Sequence, residues 1–248
     1  MDIRALLFDV NGTLIDIETD EGLEEIYRAI GHFLMYQGIS LHRWEVRDLY
    51  FQIMQQQREE STETFAEWDA VAVWREFLFS KASDYTRSLP LEKREQLPLF
   101  LAELHRGISR KRLNLYPQVQ ETLDQLRSHY RMAIVSDAQS AFAVPELRAV
   151  GLAHYFNPII VSGDYGYRKP DSRLFQRALD ALHVQPEQAL FLGNDLYRDI
   201  FGAQQAGMKA IFVSYNQSNT PYQKISPDYT ISRFAELPQA VNYFMRLE

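Results

Sequence analysis

Four short polar groups in this chain stand where an aliphatic run gives way to a turn, and each has residue types suited to an electrophilic, anionic substrate. In Phe8-Asp9-Val10-Asn11-Gly12-Thr13-Leu14, Asp9 supplies a carboxylate able to attack an electrophile. Gly12 lets the next stretch of backbone turn so that its N–H groups, with Thr13, face an anion. In Asn194-Asp195-Leu196-Tyr197-Arg198-Asp199, two carboxylates spaced one helical turn apart suit a magnesium ion, which takes few protein oxygens and keeps several waters. In Arg168-Lys169-Pro170-Asp171, an ammonium in a loop before a capped helix can neutralise a phosphoryl oxygen or the charge of a nucleophile. In Ser136-Asp137-Ala138-Gln139, a hydroxyl and backbone N–H groups can bind an anion. Each group taken singly also has a plainer reading as a turn, a helix cap, a dipole-complementing acid or a solvated lysine.

The elements that must position these groups decide between the two readings. Apolar runs at Ala5–Val10, Arg131–Ser136, Pro158–Ser162, Ala189–Gly193, Lys209–Ser214 and Asp228–Ile231 have the length and composition of buried parallel strands. Between them lie amphipathic stretches at Gln118–Tyr130, Ala143–Val150, Arg173–Leu182 and Tyr197–Ala206, two of them closed by Gly151 and Gly207. Strand and helix in alternation predict an α/β fold with a doubly wound, Rossmann-like parallel sheet. All four groups then fall at the carboxyl ends of strands, where such sheets bind ligands, and converge on one crevice. From about Asp16 to Leu115 the strand signal disappears, and Gln, Glu, Arg and aromatics recur at helical spacing. The organisation expected is a core of residues 1–15 and 116–248 interrupted by an all-helical insertion over 16–115.

Composition limits the chemistry further. The chain has 248 residues and no cysteine, so it is long enough for a core without staples, and disulfides, thiolate catalysis and sulfur-held zinc are excluded. A metal would need oxygen ligands or histidine. The net charge of −7 disfavours general nucleic-acid binding. No leader-like start and no run of roughly 20 apolar residues is present, so the expectation is a cytoplasmic protein without a membrane span, monomeric or homodimeric.

Taken in order, the four groups make the chain resemble the haloacid dehalogenase superfamily. Asp9–Leu14 is similar to its first motif, Asp-x-Asp-Gly-Thr-Leu; Ser136 fits the second and Lys169-Pro170-Asp171 the third. Gly193–Asp199, followed by Gly202-Ala203 and Ala206-Gly207-Met208, fits the fourth. The helical insertion after the first motif stands where that superfamily carries its C1 caps, which cover the site and select the substrate. The resemblance implies a Mg2+-dependent phosphatase of a small phosphorylated metabolite, with Asp9 as the nucleophile that forms an aspartyl-phosphate. It also implies Mg2+ held by Asp9, the backbone carbonyl of Asn11 and a fourth-motif residue, with Ser136 and Lys169 on the transferring group. Asp195 is the first choice for that last ligand by spacing, Asp199 goes with it, and direct alignment of the Gly-Asp pair puts Asn194 there instead.

Asn11 departs from the pattern. The superfamily's second aspartate protonates the leaving alcohol and later activates water, and an amide does neither. Such catalysis is typically worth roughly 10²- to 10⁴-fold. Phosphate monoester hydrolysis is therefore expected to be slow or confined to good leaving groups, unless a cap residue such as His32, His42 or His105 supplies the proton. The alternatives are displacement of halide from carbon, as in the superfamily's 2-haloacid dehalogenases, and a binding or regulatory protein that has kept the fold and lost efficient turnover. Deamidation at Asn11-Gly12 would restore an aspartate. Within the insertion, His42–Arg47 and Arg106, Arg110, Lys111 and Arg112 could meet an anionic substrate, although solvated helix faces account for most such charges. Phe65, Trp68, Trp74, Phe77 and Phe79 fit a helical core.

Overall fold

The computed structural model describes residues 1–216 and 225–246; the remaining stretches of the expected core, 217–224 and 247–248, lie outside the described residues. Six parallel strands, β1 (Ala5–Phe8), β4 (Arg131–Ser136), β5 (Ile159–Val161), β6 (Ala189–Gly193), β7 (Lys209–Val213) and β8 (Tyr229–Ile231), form one sheet in the order β5-β4-β1-β6-β7-β8. Each corresponds to an apolar run expected to be a strand, trimmed by a residue or two at some ends.

Those runs are continuous because both faces of the sheet are covered. Successive side chains on a strand point to opposite faces. Leu6 and Phe8 of β1 join one core with Val119, Leu123 and Phe244, while Ala5 and Leu7 join another with Leu174, Phe175 and Leu179. The first core is closed by α6 (Val119–Leu126), α7 (Ser140–Ala149) and α10 (Leu237–Met245), the second by α8 (Ser172–Leu182) and α9 (Gly202–Gln205). The chain runs from β1 to β4 and β5 on one side, then crosses back to β6 on the other. This reversal opens a crevice at the carboxyl end of β1, the topological switch point of an open sheet.

The inserted segment is helical: α1 (Glu24–Tyr36), α2 (Arg43–Glu60), α3 (Ala70–Lys81), α4 (Asp84–Ser88) and α5 (Leu91–Ser109). It has a hydrophobic core of its own, in which Tyr50 stacks on Trp74 with ring centroids 4.8 Å apart. Local chemistry sets the helix starts. His42 and Glu45 form a reciprocal capping box on α2, and the Asp69 carboxylate accepts from the Val71 and Ala72 amides at the start of α3.

Two expectations need correction. The insertion is not wholly without strands, because β2 (Ile15–Thr19) and β3 (Arg110–Leu115) pair antiparallel at its two ends. The alternation in Ile15-Asp16-Ile17-Glu18 was too short to stand out, and Arg110-Lys111-Arg112 reads equally well as a charged helix face. Across the ribbon Arg112 pairs with Asp16 at 2.9 Å and Glu18 at 2.8 Å, and Lys111 pairs with Asp20 at 2.7 Å, so these cations are engaged there. Phe79 is not core: it is 85% exposed, whereas Trp74 and Phe77 are fully buried.

Candidate active site

The first, second and third polar groups meet at the carboxyl end of β1. Asp9, 6% exposed, stands just past that strand, and its Oδ1 accepts from Ser136 Oγ at 2.9 Å and from Lys169 Nζ at 2.8 Å. Oδ2 accepts one long bond from Thr13 Oγ1, at 3.3 Å. Ser136 arrives from the end of β4, the strand paired with β1, and Lys169 from the loop before α8, whose N-cap is Asp171. Gly12 has φ +83°, and a Cβ there would stand 2.4 Å from Asn194 Nδ2, so the turn is both left-handed and too crowded for a side chain.

Lys169 is 2% exposed and has a second carboxylate partner, Asp199 Oδ1 at 2.6 Å, together with the Val135 carbonyl at 3.2 Å. Burial works against its charge, but Asp199, Asp9 and Asp137 outweigh burial and hold its pKa above the ordinary value. Burial pushes the Asp199 carboxyl up, and Lys169 together with N–H bonds from Asn194 and Asp195, each 3.0 Å from Oδ2, holds it back. With an ammonium and two amides directed at it, Asp199 acts as the counter-ion of Lys169.

The Asn194–Asp199 group, which fits the fourth motif, is built around a helix start. The segment Leu196–Phe201 is a π-helical turn, in which both the Asp199 and the Ile200 amides reach the Asp195 carbonyl. Asp195 is its N-cap: Oδ1 accepts from the amides of Tyr197 and Arg198, and Oδ2 pairs with Arg198 Nε at 2.9 Å. In this arrangement the Asp195 carboxylate is engaged by a helix start and a guanidinium, and the Asp199 carboxylate by Lys169 and two amides. Asp199 shares the Lys169 ammonium with Asp9, and Asn194 also comes close: its Oδ1 lies 3.4 Å from Thr13 Oγ1 and its Nδ2 is anchored on the Asn216 carbonyl. Among the described residues no cluster of three or more His, Cys, Asp or Glu is placed to hold a metal. Oxygen donors near Asp9 include its own carboxylate, the Asn194 amide and the Asn11 carbonyl. That set fits a magnesium ion held by a single carboxylate and completed by water and a substrate phosphate.

Above the crevice, the insertion and the sheet enclose a cavity of about 250 Å3 lined by Asn11, Tyr50, Trp68, Asp137, Arg168 and Arg198 among others. The linker before α3 reaches onto the third-group loop: the Glu67 amide bonds the Gly166 carbonyl, and the Arg168 amide bonds the Phe65 carbonyl. Gln139 ties the same linker to the core, accepting from the Ala70 amide and donating to the Trp68 carbonyl. Arg106 of α5 pairs with Glu146 of α7 at 2.7 Å. Glu67 and Glu146 stand in no recognisable motif, and their roles, like that of Gln139 at the end of the Ser136–Gln139 group, depend on which loop the fold brings opposite them.

None of His32, His42 and His105 lines this cavity. His105 is buried in the insertion's core against Glu21, at 2.5 Å, His42 caps α2, and His32 is exposed on α1. The Asp137 carboxyl accepts the Lys169 amide and while ionised has no donor for a phosphate, so any anion contact from this residue falls to its backbone N–H.

A parallel sheet with a buried aspartate, serine and lysine at its switch point and a helical insertion over them defines a capped α/β hydrolase. The sequence profile of the haloacid dehalogenase-like hydrolases matches residues 3–207, and the chain belongs to that family. It is 30% identical over 221 residues, 86% of each chain, to glyceraldehyde 3-phosphate phosphatase of Methanothermobacter thermautotrophicus. With phosphoserine phosphatase of Thermus thermophilus it shares 33% identity over 150 residues, which span 58% of each protein. Among solved structures, a 2-haloacid dehalogenase from Pseudomonas syringae superimposes with a TM-score of 0.71 over 98% of this chain and 99% of that one, at 23% identity. A phosphatase from Thermococcus onnurineus gives 0.58 over 96% and 98%, at 24% identity. At such identities the likeness is one of fold. No helix among the described residues is long and apolar enough to cross a membrane.

Proposed function

We propose that this chain is a phosphatase of a small phosphorylated metabolite in which Asp9 attacks phosphorus and is transiently phosphorylated. The observation that carries this reading is the double hold on Asp9 Oδ1 by Ser136 and Lys169, at 2.9 and 2.8 Å. It fixes the carboxylate in one orientation with a hydroxyl and a buried cation beside it, groups suited to meet a transferring phosphoryl. The cavity of about 250 Å3 over the crevice suits a small molecule. The unit over 16–115 serves as the cap that admits and selects it. Asn11, Asn194 and Asp9 would hold Mg2+, which would supply positive charge to the phosphoryl oxygens. Ser136, Thr13 and the amides after Gly12 bind and orient the phosphoryl group, and Lys169 screens the charge of Asp9 during approach.

A second reading, displacement of halide from carbon by Asp9, is favoured by one feature: Asp195 and Asp199 are committed to the π-helical turn and to Lys169, which leaves few carboxylate oxygens for a metal. A panel of p-nitrophenyl phosphate, acetyl phosphate, alkyl phosphates and 2-haloacids, with and without Mg2+, separates the two. Metal-stimulated phosphate release that Asp9→Asn abolishes supports the phosphatase, whereas halide release without metal establishes the second reading. Inactivity on the whole panel would leave a binding protein.

A further inference from the structure

The phosphatase reading lacks a proton donor at Asn11, and the same cavity wall carries a carboxyl that is poorly suited to anion binding. Asp137 follows Ser136 at the end of β4, and its side chain is 10% exposed. It lines the cavity beside Asn11, Ala138 and Arg198. Its two oxygens have unequal surroundings. Oδ1 is fixed by the Lys169 amide at 2.9 Å. Oδ2 is buried and has no hydrogen-bond partner among the described residues. The nearest cation to it, Arg198 Nη1, stands 3.6 Å away, beyond hydrogen-bond reach. A carboxyl held at one oxygen and unsolvated at the other is suited to carry a proton on the second and to release it to a partner that enters the cavity.

From this geometry we infer that Asp137 is the proton donor and acceptor of the site, performing the work that Asn11 cannot. The inference rests on the phosphatase reading. Four charged groups face Asp137: Lys169 from the loop before α8, Arg198 from the π-helical turn, Asp9 from the end of β1, and Glu67 from the linker over the cavity. Burial raises the Asp137 pKa above the usual carboxylate range, with Asp9 adding to it, and the two cations only partly oppose the rise. Glu67 is the competing carboxyl, also raised by burial, but both of its oxygens are occupied, one by the Trp68 amide at 3.1 Å and the other by Ser162 Oγ at 2.9 Å.

In the first half-reaction an oxygen of Asp9 bonds to phosphorus, the bond from phosphorus to the leaving oxygen breaks, and Asp137 transfers its proton to that oxygen to release an alcohol. In the second, the Asp137 carboxylate takes a proton from water as the water oxygen bonds to phosphorus. The bond to Asp9 then breaks, inorganic phosphate leaves, and Asp137 is again protonated. The net change is hydrolysis of one phosphate ester by one water.

The test compares an alkyl phosphate with p-nitrophenyl phosphate in the full-length protein, wild type, Asp137→Asn, Asn11→Asp and the double variant. Asparagine keeps an oxygen for the Lys169 amide, so the loop contact survives. Asp137→Asn is expected to lower kcat/KM on the alkyl phosphate by at least about 10²-fold and on the nitrophenyl ester by far less, because nitrophenolate departs without a proton. It should also remove the alkaline limb of the alkyl phosphate pH profile, which reports loss of the protonated acid. Asn11→Asp in the Asp137→Asn background should restore at least about tenfold of the lost alkyl activity by supplying an acid nearby. Equal losses on both esters with no recovery in the double variant, or no loss on either, overturn the assignment while leaving the phosphatase reading in place. Wild type that forms no phosphoenzyme with either ester overturns both.

Discussion

Replacing Lys169 with methionine tests the electrostatic centre of the site. The methionine fills a similar volume in a position that is 2% exposed, and it deletes a cation bonded to Asp9 at 2.8 Å and to Asp199 at 2.6 Å. Truncating one member of a buried ion pair costs about 3–5 kcal/mol, because the partner stays buried and uncompensated. Here Asp199 keeps two amide donors and Asp9 keeps Ser136 and Thr13, which places the expected loss near the lower end, about 3 kcal/mol at pH 8. The loss also depends on pH. Burial already pushes the Asp199 carboxyl up, and without the ammonium nothing comparable holds it down. A carboxyl whose folded pKa lies above its unfolded value of about 3.9 binds its proton more tightly in the folded state, so folding stability falls as pH rises between the two values, by about 1.4 kcal/mol per unit. Lys169→Met should therefore be closest to wild type near pH 5 and furthest from it near pH 8. Urea unfolding at the two pH values, followed by circular dichroism, measures the difference. Adding Asp199→Asn should recover part of the loss at pH 8. A variant as stable as wild type at pH 8, or a deficit that does not shrink toward pH 5, would refute the reading of Lys169 as the cation that holds two buried carboxylates together.

Gly12→Ala puts a Cβ 2.4 Å from Asn194 Nδ2 at φ +83°, and should cost about 1–2 kcal/mol from backbone conformation alone, read by thermal unfolding, together with a fall in activity as Asn194 is displaced. Asn194→Asp adds a second carboxylate to the oxygen set and should tighten Mg2+ by on the order of tenfold, measured as the metal concentration for half-maximal activity; an unchanged requirement would place the metal elsewhere. Trp74→Ala removes a fully buried ring from the insertion's core and should destabilise the protein by about 3–5 kcal/mol in urea unfolding, with the sheet's hydrogen exchange less affected than that of α2, α3 and α5.

The sheet was legible because a strand buried on both faces is apolar throughout, as in Ala5-Leu6-Leu7-Phe8, and because polar groups that follow such runs must gather at one edge. That edge is why Asp9, Ser136 and Lys169 could be connected across more than half the chain from residue type and order alone. The ribbon of β2 and β3 was not legible, since its strands are short and its cations read equally well on a helix. Nor could spacing assign the fourth group. Asp195 and Asp199 look like a metal pair in one dimension, yet the π-helical turn draws Asp195 to its own amides and Arg198, and the third-group loop brings Lys169 onto Asp199. The sequence by itself determined which chemistry the strand ends carry and that an amide stands at position 11. Only the tertiary structure decided which oxygens are left uncommitted, because a carboxylate's availability depends on donors contributed by distant segments: Asp137 keeps one such oxygen, and Asp195 and Asp199 do not.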